Sequence, residues 1–107
     1  MYVQSCNNTM KTIFEWDAVK AASNIRKHGI DFDLAKRAFA DPCTLIFQDR
    51  FENGEYRWQT IGMVDGVLLL LIAHTTHDDD SGQEVIRIIS ARTVKRHERK
   101  IYEQQYH

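Results

Sequence analysis

Residues 55–75 read "EYRWQTIGMVDGVLLLLIAHT". Two apolar-rich runs flank Asp65-Gly66, and Asp-Gly in that place is a strong short-range signal for a β-hairpin with a two-residue turn. No other stretch limits the fold as tightly. A lone hairpin is marginal in water, so the rest of the chain must add strands and cover the apolar face. A two-residue turn pairs Val64 with Val67, and counting back along both strands puts Arg57 opposite His74 and Glu55 opposite Thr76. Opposed residues project from one face, about 4.5–5.5 Å apart at Cβ. The expected polar face therefore carries Glu55, Arg57, Gln59 and His74, with Leu68, Leu70 and Ile72 as an apolar far end needing cover. Tyr56 and Trp58 are expected on the core face.

Other segments supply that cover. "IFEW" at 13–16 reads as a short strand, followed by Asp17 as a helix N-cap. Ala18, Ala21, Ala22 and Ile25 then recur at helical spacing until Gly29 stops the helix. Asp31 caps a second helix with Leu34, Ala35, Ala38 and Phe39 on its apolar face, and Asp41-Pro42 ends it. "TLIFQD" (44–49) and "EVIRIISA" (84–91) read as further strands, with Ile86 and Ile88 facing the core and Arg87 joining the polar face. By strict alternation Arg92 points the other way, but it lies where strand becomes helix, so its direction is open. Thr93 is the expected cap of a closing helix to about residue 104. The order β-α-α-β-β-β-β-α describes an α+β domain, an antiparallel sheet with helices packed beside it.

The 107 residues suit one domain, expected over 12–107. Residues 1–11 read as a flexible polar extension, and residues 1–9 as dispensable, because Met10 opens "MKTIFEWD" as a start would. Cys6 and Cys43 have no metal or redox spacing, which favours a reducing cytoplasm. The N-terminus has no apolar signal core, and "GVLLLLIA" is too short to span a bilayer. Charge is uneven within a formal net of −1. "RTVKRHERK" (92–100) sets Arg92, Lys95, Arg96, Arg99 and Lys100 against Glu98, a basic segment suited to a polyanion. The bland reading of such a run is a solvated helix face.

A carboxylate, a histidine and two arginines on one face suit acid–base work on a phosphodiester. A base removes the 2′-hydroxyl proton of RNA, an acid protonates the leaving 5′-oxygen, and guanidinium groups stabilise the phosphate oxygens. The bland alternative is a cross-strand ion pair. "HTTHDDD" (74–80) invites a metal reading, but residues three apart on a strand point to opposite faces, and the aspartates suit a solvated turn. No metal or other cofactor is expected.

"FEWDAVKAASNIRKHGIDF", "AFADP", "GEYRWQTIG" and "RIISARTVKRHERKIYE", in that order, resemble the BrnT family of bacterial type II toxins. The resemblance implies a compact RelE-like fold and a metal-independent endoribonuclease that arrests translation. It also implies a BrnA-like antitoxin that forms a hetero-oligomer with the toxin and binds operator DNA. Carried onto this chain, "KHG" marks Lys27 and His28, "GEYRW" marks Glu55, Arg57 and Trp58, and "RIISAR" marks Arg87 and Arg92. The expected catalytic set is Glu55, Arg57, His74 and Arg87, with His74 resting on the hairpin register. The expected RNA-binding set is Lys27, His28, Arg92, Lys95, Arg96 and Arg99. The alternative is a non-catalytic RNA-binding or co-repressor module on the same fold.

Overall fold

A computed structural model describes residues 12–105. The expectations for residues 1–11, including Cys6 and Met10, lie outside them. The elements are β1 (Ile13–Glu15), α1 (Ala18–His28), α2 (Phe32–Ala35) running into a 3-10 helix (Lys36–Ala40), β2 (Leu45–Glu52), β3 (Glu55–Val64), β4 (Leu68–Asp78), β5 (Glu84–Thr93) and α3 (Arg96–Gln104). The order matches the expectation, but the sheet is mixed. Its strands run β1-β5-β4-β3-β2, and β1 joins β5 in parallel because the chain returns to that edge only after both helices.

Local chemistry sets the helix ends as expected. Asp17 Oδ1 accepts from the backbone N–H groups of Val19 (2.7 Å) and Lys20 (3.2 Å), and Gly29 closes α1 at φ 71°. Asp31 Oδ1 accepts from Asp33 N–H at 2.8 Å. Thr93 is not the cap of α3. It is the last residue of β5, and Lys95 takes the N-cap position, its N–H donating to Glu98 Oε1 at 2.8 Å.

The Asp65-Gly66 turn forms as its sequence demands, with φ 54° and 72° and Val67 N–H donating to the Val64 carbonyl at 3.0 Å. The pairing behind it differs from the expectation. Val64 pairs with Leu68, and Trp58, not Arg57, pairs with His74. Val67 is an extra residue left in solvent at 81% exposure. This one-residue slip turns Leu68, Leu70 and Ile72 to the face covered by α1, α2 and the 3-10 helix. There they join Ile30, Phe32, Ala35, Ala38, Val64, Ile86, Ile88 and Ala91 in the larger core. The other face buries Ile61, Leu69 and Leu71 beneath Tyr102 of α3. We call these the front and back faces. Tyr56, expected in the core, is 52% exposed on β3.

A second irregularity lies on β5. Ala73 pairs with Ser90 but His74 pairs with Ile88, so Ile89 is bulged out. The bulge resets the alternation. Arg87, opposite Thr75, and Arg92, opposite Leu71, both project from the back face.

Three contacts lock the layers. Beyond the short β1 pairing, the edge of β5 is completed by a side chain. Asn24 of α1 is buried, donating to the Ala91 and Ile30 carbonyls (each 2.9 Å) and accepting from Ala91 N–H (3.0 Å). Gly62 lets β3 approach the 3-10 helix, since a Cβ there would lie 2.4 Å from the Ala38 carbonyl oxygen. Asp41 accepts from Tyr102 Oη (2.5 Å), Met63 N–H (2.8 Å) and Cys43 N–H (2.9 Å), tying α3 to the loop before β2. Partial burial alone would raise the Asp41 pKa, but these donors outweigh it and hold the carboxyl below its usual value.

Candidate active site

The expected four-residue cluster divides between the two faces. Glu55, Arg57 and Arg87 come together on the back face, while His74 is buried at the front. The direct Arg57–His74 neighbourhood does not exist, because one inserted residue at the turn reverses the faces of β4.

On the back face, Arg87 Nη2 reaches across β4 to Glu55 Oε2 at 2.6 Å. Thr75, between those strands and opposite Arg87, is small enough for the long side chains to meet above it. Arg57 Nη1 lies 3.5 Å from Glu52 Oε1, and its side chain is only 18% exposed. Among the described residues, neither Arg57 Nε nor Thr75 Oγ1, both buried, has a hydrogen-bond partner. A polar atom buried without a partner costs about 1–3 kcal/mol, so this floor retains unused hydrogen-bonding capacity. Asn53, Lys20 and Asp17 complete a cavity of about 220 Å³ around Glu55, Arg57 and Arg87.

His74 occupies a different environment. Its Nε2 is 2.8 Å from Thr60 Oγ1, its Nδ1 3.4 Å from the Thr75 carbonyl, and its ring meets Phe39 edge-on at 5.1 Å. Burial pushes its pKa below the ordinary value, against smaller upward effects from the Thr75 carbonyl and Glu84. The imidazole is therefore held neutral. It lies at the floor of a front cavity of about 670 Å³ with apolar walls that include Phe14, Phe39, Trp58 and Ile86. A negative phosphodiester is better served by the back face, where two guanidinium groups converge.

The expected RNA-binding residues also separate. Lys95, Arg96 and Arg99 are exposed on or beside α3, which packs on the back side of the sheet. Arg92 is already engaged, because both its Nη atoms donate to Glu98 at 2.9 Å. That pairing, helped by Lys95 N–H, lowers the Glu98 pKa to about 2 despite opposing burial. Lys27 and His28 stand exposed in the last turn of α1, where cations complement the helix dipole. They lie seven or more residues along α1 from Lys20, a rise of about 10 Å or more. In the loop after β4, Asp79 Oδ1 accepts from Ser81 N–H, Ser81 Oγ and Gln83 N–H, which makes a turn. Among the described residues no three His, Cys, Asp or Glu side chains are grouped to hold a metal ion.

Sequence reasoning missed Lys20. A cation at the third position of a helix opposes the dipole preference for acidic residues there, which is the signal that marked it.

The structure is a five-stranded mixed sheet with helices on both sides and a cavity lined by arginine, lysine and carboxylate side chains on its back face. Residues 16–98 match the model of a family described as "Ribonuclease toxin, BrnT, of type II toxin-antitoxin system", and the chain belongs to that family. The fold is similar to the 1.1 Å crystal structure of the Brucella abortus ribonuclease toxin, BrnT. The TM-score is 0.58 and the identity 22%, over 79% of this chain and 97% of that one. No curated protein matches the chain.

Proposed function

We propose that the chain is an endoribonuclease that works without a metal and arrests translation by cutting RNA. The observation that carries this reading is the convergence of Arg57, Arg87 and Glu55 in one back-face cavity. The guanidinium groups neutralise the non-bridging phosphate oxygens as charge builds on them. Glu55 accepts the 2′-hydroxyl proton, and the 2′-oxygen attacks phosphorus in line with the departing 5′-oxygen. For that to happen, substrate phosphate must displace Glu55 from Arg87, exchanging one anionic partner for another. Lys95, Arg96 and Arg99, on the same side of the sheet, hold the flanking RNA backbone.

The neutralising partner is a BrnA-like antitoxin that forms a hetero-oligomer with this chain and binds operator DNA itself. Both act in the cytoplasm. The test is cleavage of RNA by the purified protein in excess EDTA. Cleavage that Arg57→Ala abolishes supports the enzyme. RNA binding with no cleavage by the unaltered protein replaces it with a binding or co-repressor module.

A further inference from the structure

We propose that Lys20 is the proton donor of this site, delivering a proton to the 5′-oxygen as it leaves. The inference rests on the ribonuclease reading above and completes it. Cleavage by 2′-oxygen attack needs one group to take a proton and another to give one. Placing His74 on the front face leaves the back cavity with Glu55 and two arginines. A guanidinium does not serve as a proton donor in proteins. Among the side chains that line this cavity, Lys20 is the remaining one with a transferable N–H proton.

Its position supports the role. Asp17, the other carboxylate at this cavity, is held as the N-cap of α1 by the Val19 and Lys20 backbone N–H groups. No hydrogen bond or ion pair engages the Lys20 ammonium among the described residues. Lys20 comes from α1, whereas Glu55 comes from β3 across the sheet, so the two residues line the cavity from different elements. An in-line displacement calls for two such separate groups, the base beside the attacking oxygen and the acid beside the leaving one on the other side of phosphorus. Arg57, whose buried Nε has no hydrogen-bond partner among the described residues, lines the same cavity.

The step balances. The 2′-O–H proton passes to the Glu55 carboxylate as the 2′-O–P bond forms. The P–O5′ bond breaks, and its electron pair takes a proton from the Lys20 ammonium. The products are a 2′,3′-cyclic phosphate and a 5′-hydroxyl. Glu55 returns its proton and Lys20 regains one through solvent.

The experiment compares the full chain with Lys20→Ala and Lys20→Arg on two RNA substrates. One has the normal 5′-oxygen; the other has a bridging 5′-sulfur, whose thiolate departs without protonation. Lys20→Ala and Lys20→Arg should both lose about 100-fold in rate at saturating normal RNA, and both should recover most of it on the 5′-sulfur RNA. Thermal midpoints should not move, because the Lys20 side chain is exposed. Full activity in Lys20→Arg, or an equal deficit on both substrates, overturns proton donation in favour of simple charge. Unchanged rates in both variants overturn any role for Lys20. If the unaltered protein cleaves neither substrate, the ribonuclease reading itself fails, an outcome distinct from the others.

Discussion

On the front face of the sheet His74 is 3% exposed, and both ring nitrogens face partners within the protein. Roughly one strand-thickness away, on the back face, Arg57 and Arg87 line a cavity, and among the described residues their ion-pair partners are the glutamates at 3.5 and 2.6 Å. The front residue is polar but enclosed, held neutral by burial. The back residues are charged and open to an anion. The two faces differ because α1, α2 and the 3-10 helix cover the front, whereas α3 covers only the end of the back face that carries Leu69 and Leu71, and from α1 only the first turn, with Asp17 and Lys20, borders the back cavity. Polar side chains thus serve packing on one side and line a cavity on the other. Cover by helices, not residue type, decides between them.

That contrast can be broken at its tightest point. Gly62→Ala should cost about 3 kcal/mol, because the new methyl meets the Ala38 carbonyl rather than a movable side chain. Urea unfolding midpoints measure this loss.

On the back, Glu98→Gln should remove about 2–3 kcal/mol at pH 7 by unpairing Arg92. It should also remove a pH dependence. The Glu98 pKa falls on folding from 4.5 to about 2, so its contribution is full above about pH 4.5 and drains away as pH falls toward 2. Urea midpoints at pH 7 and pH 3 should therefore differ less in the variant than in the unaltered protein. An unchanged difference would mean that the pair does not anchor α3.

His74→Gln and Arg87→Ala sharpen the comparison directly. The first should cost about 1–2 kcal/mol of stability and leave RNA cleavage near its original rate. The second should leave the thermal midpoint in place and slow cleavage tenfold or more, about 1.4 kcal/mol of transition-state stabilisation. Because the His74 pKa lies below 6.5 in the folded state, the unaltered protein should lose stability as pH falls below about 6.5, where unfolding lets the imidazole charge. His74→Gln should lack that limb. If cleavage instead collapses in the His74 variant and survives in the Arg87 variant, the site belongs on the front.

The smallest effect concerns the basic segment. Neutralising Lys95, Arg96 and Arg99 together should weaken RNA binding and reduce its log–log salt slope by about 2, since each contact with a single strand contributes roughly 0.7. Titrations at several salt concentrations measure it. An unchanged slope would show that this stripe does not hold RNA.

The sequence by itself determined what is settled within a few residues. Asp17 and Asp31 cap helices because a carboxylate two residues upstream reaches free N–H groups. Gly29 and Asp65-Gly66 turn because they accept positive φ. It also named Glu55, Arg57 and Arg87, whose side of the sheet the structure keeps in common. It could not determine the register. "VLLLLIA" is apolar at every position, so sliding β4 by one residue leaves the local pattern equally satisfied, and only the larger front core selects the observed pairing. Nor could it show the bulge at Ile89 that brings Arg92 to the side of Arg87, or the meeting of Lys20 with residues 35 or more positions away. Those features depend on contacts between distant segments, whose energies exist only once the sheet and helices have packed.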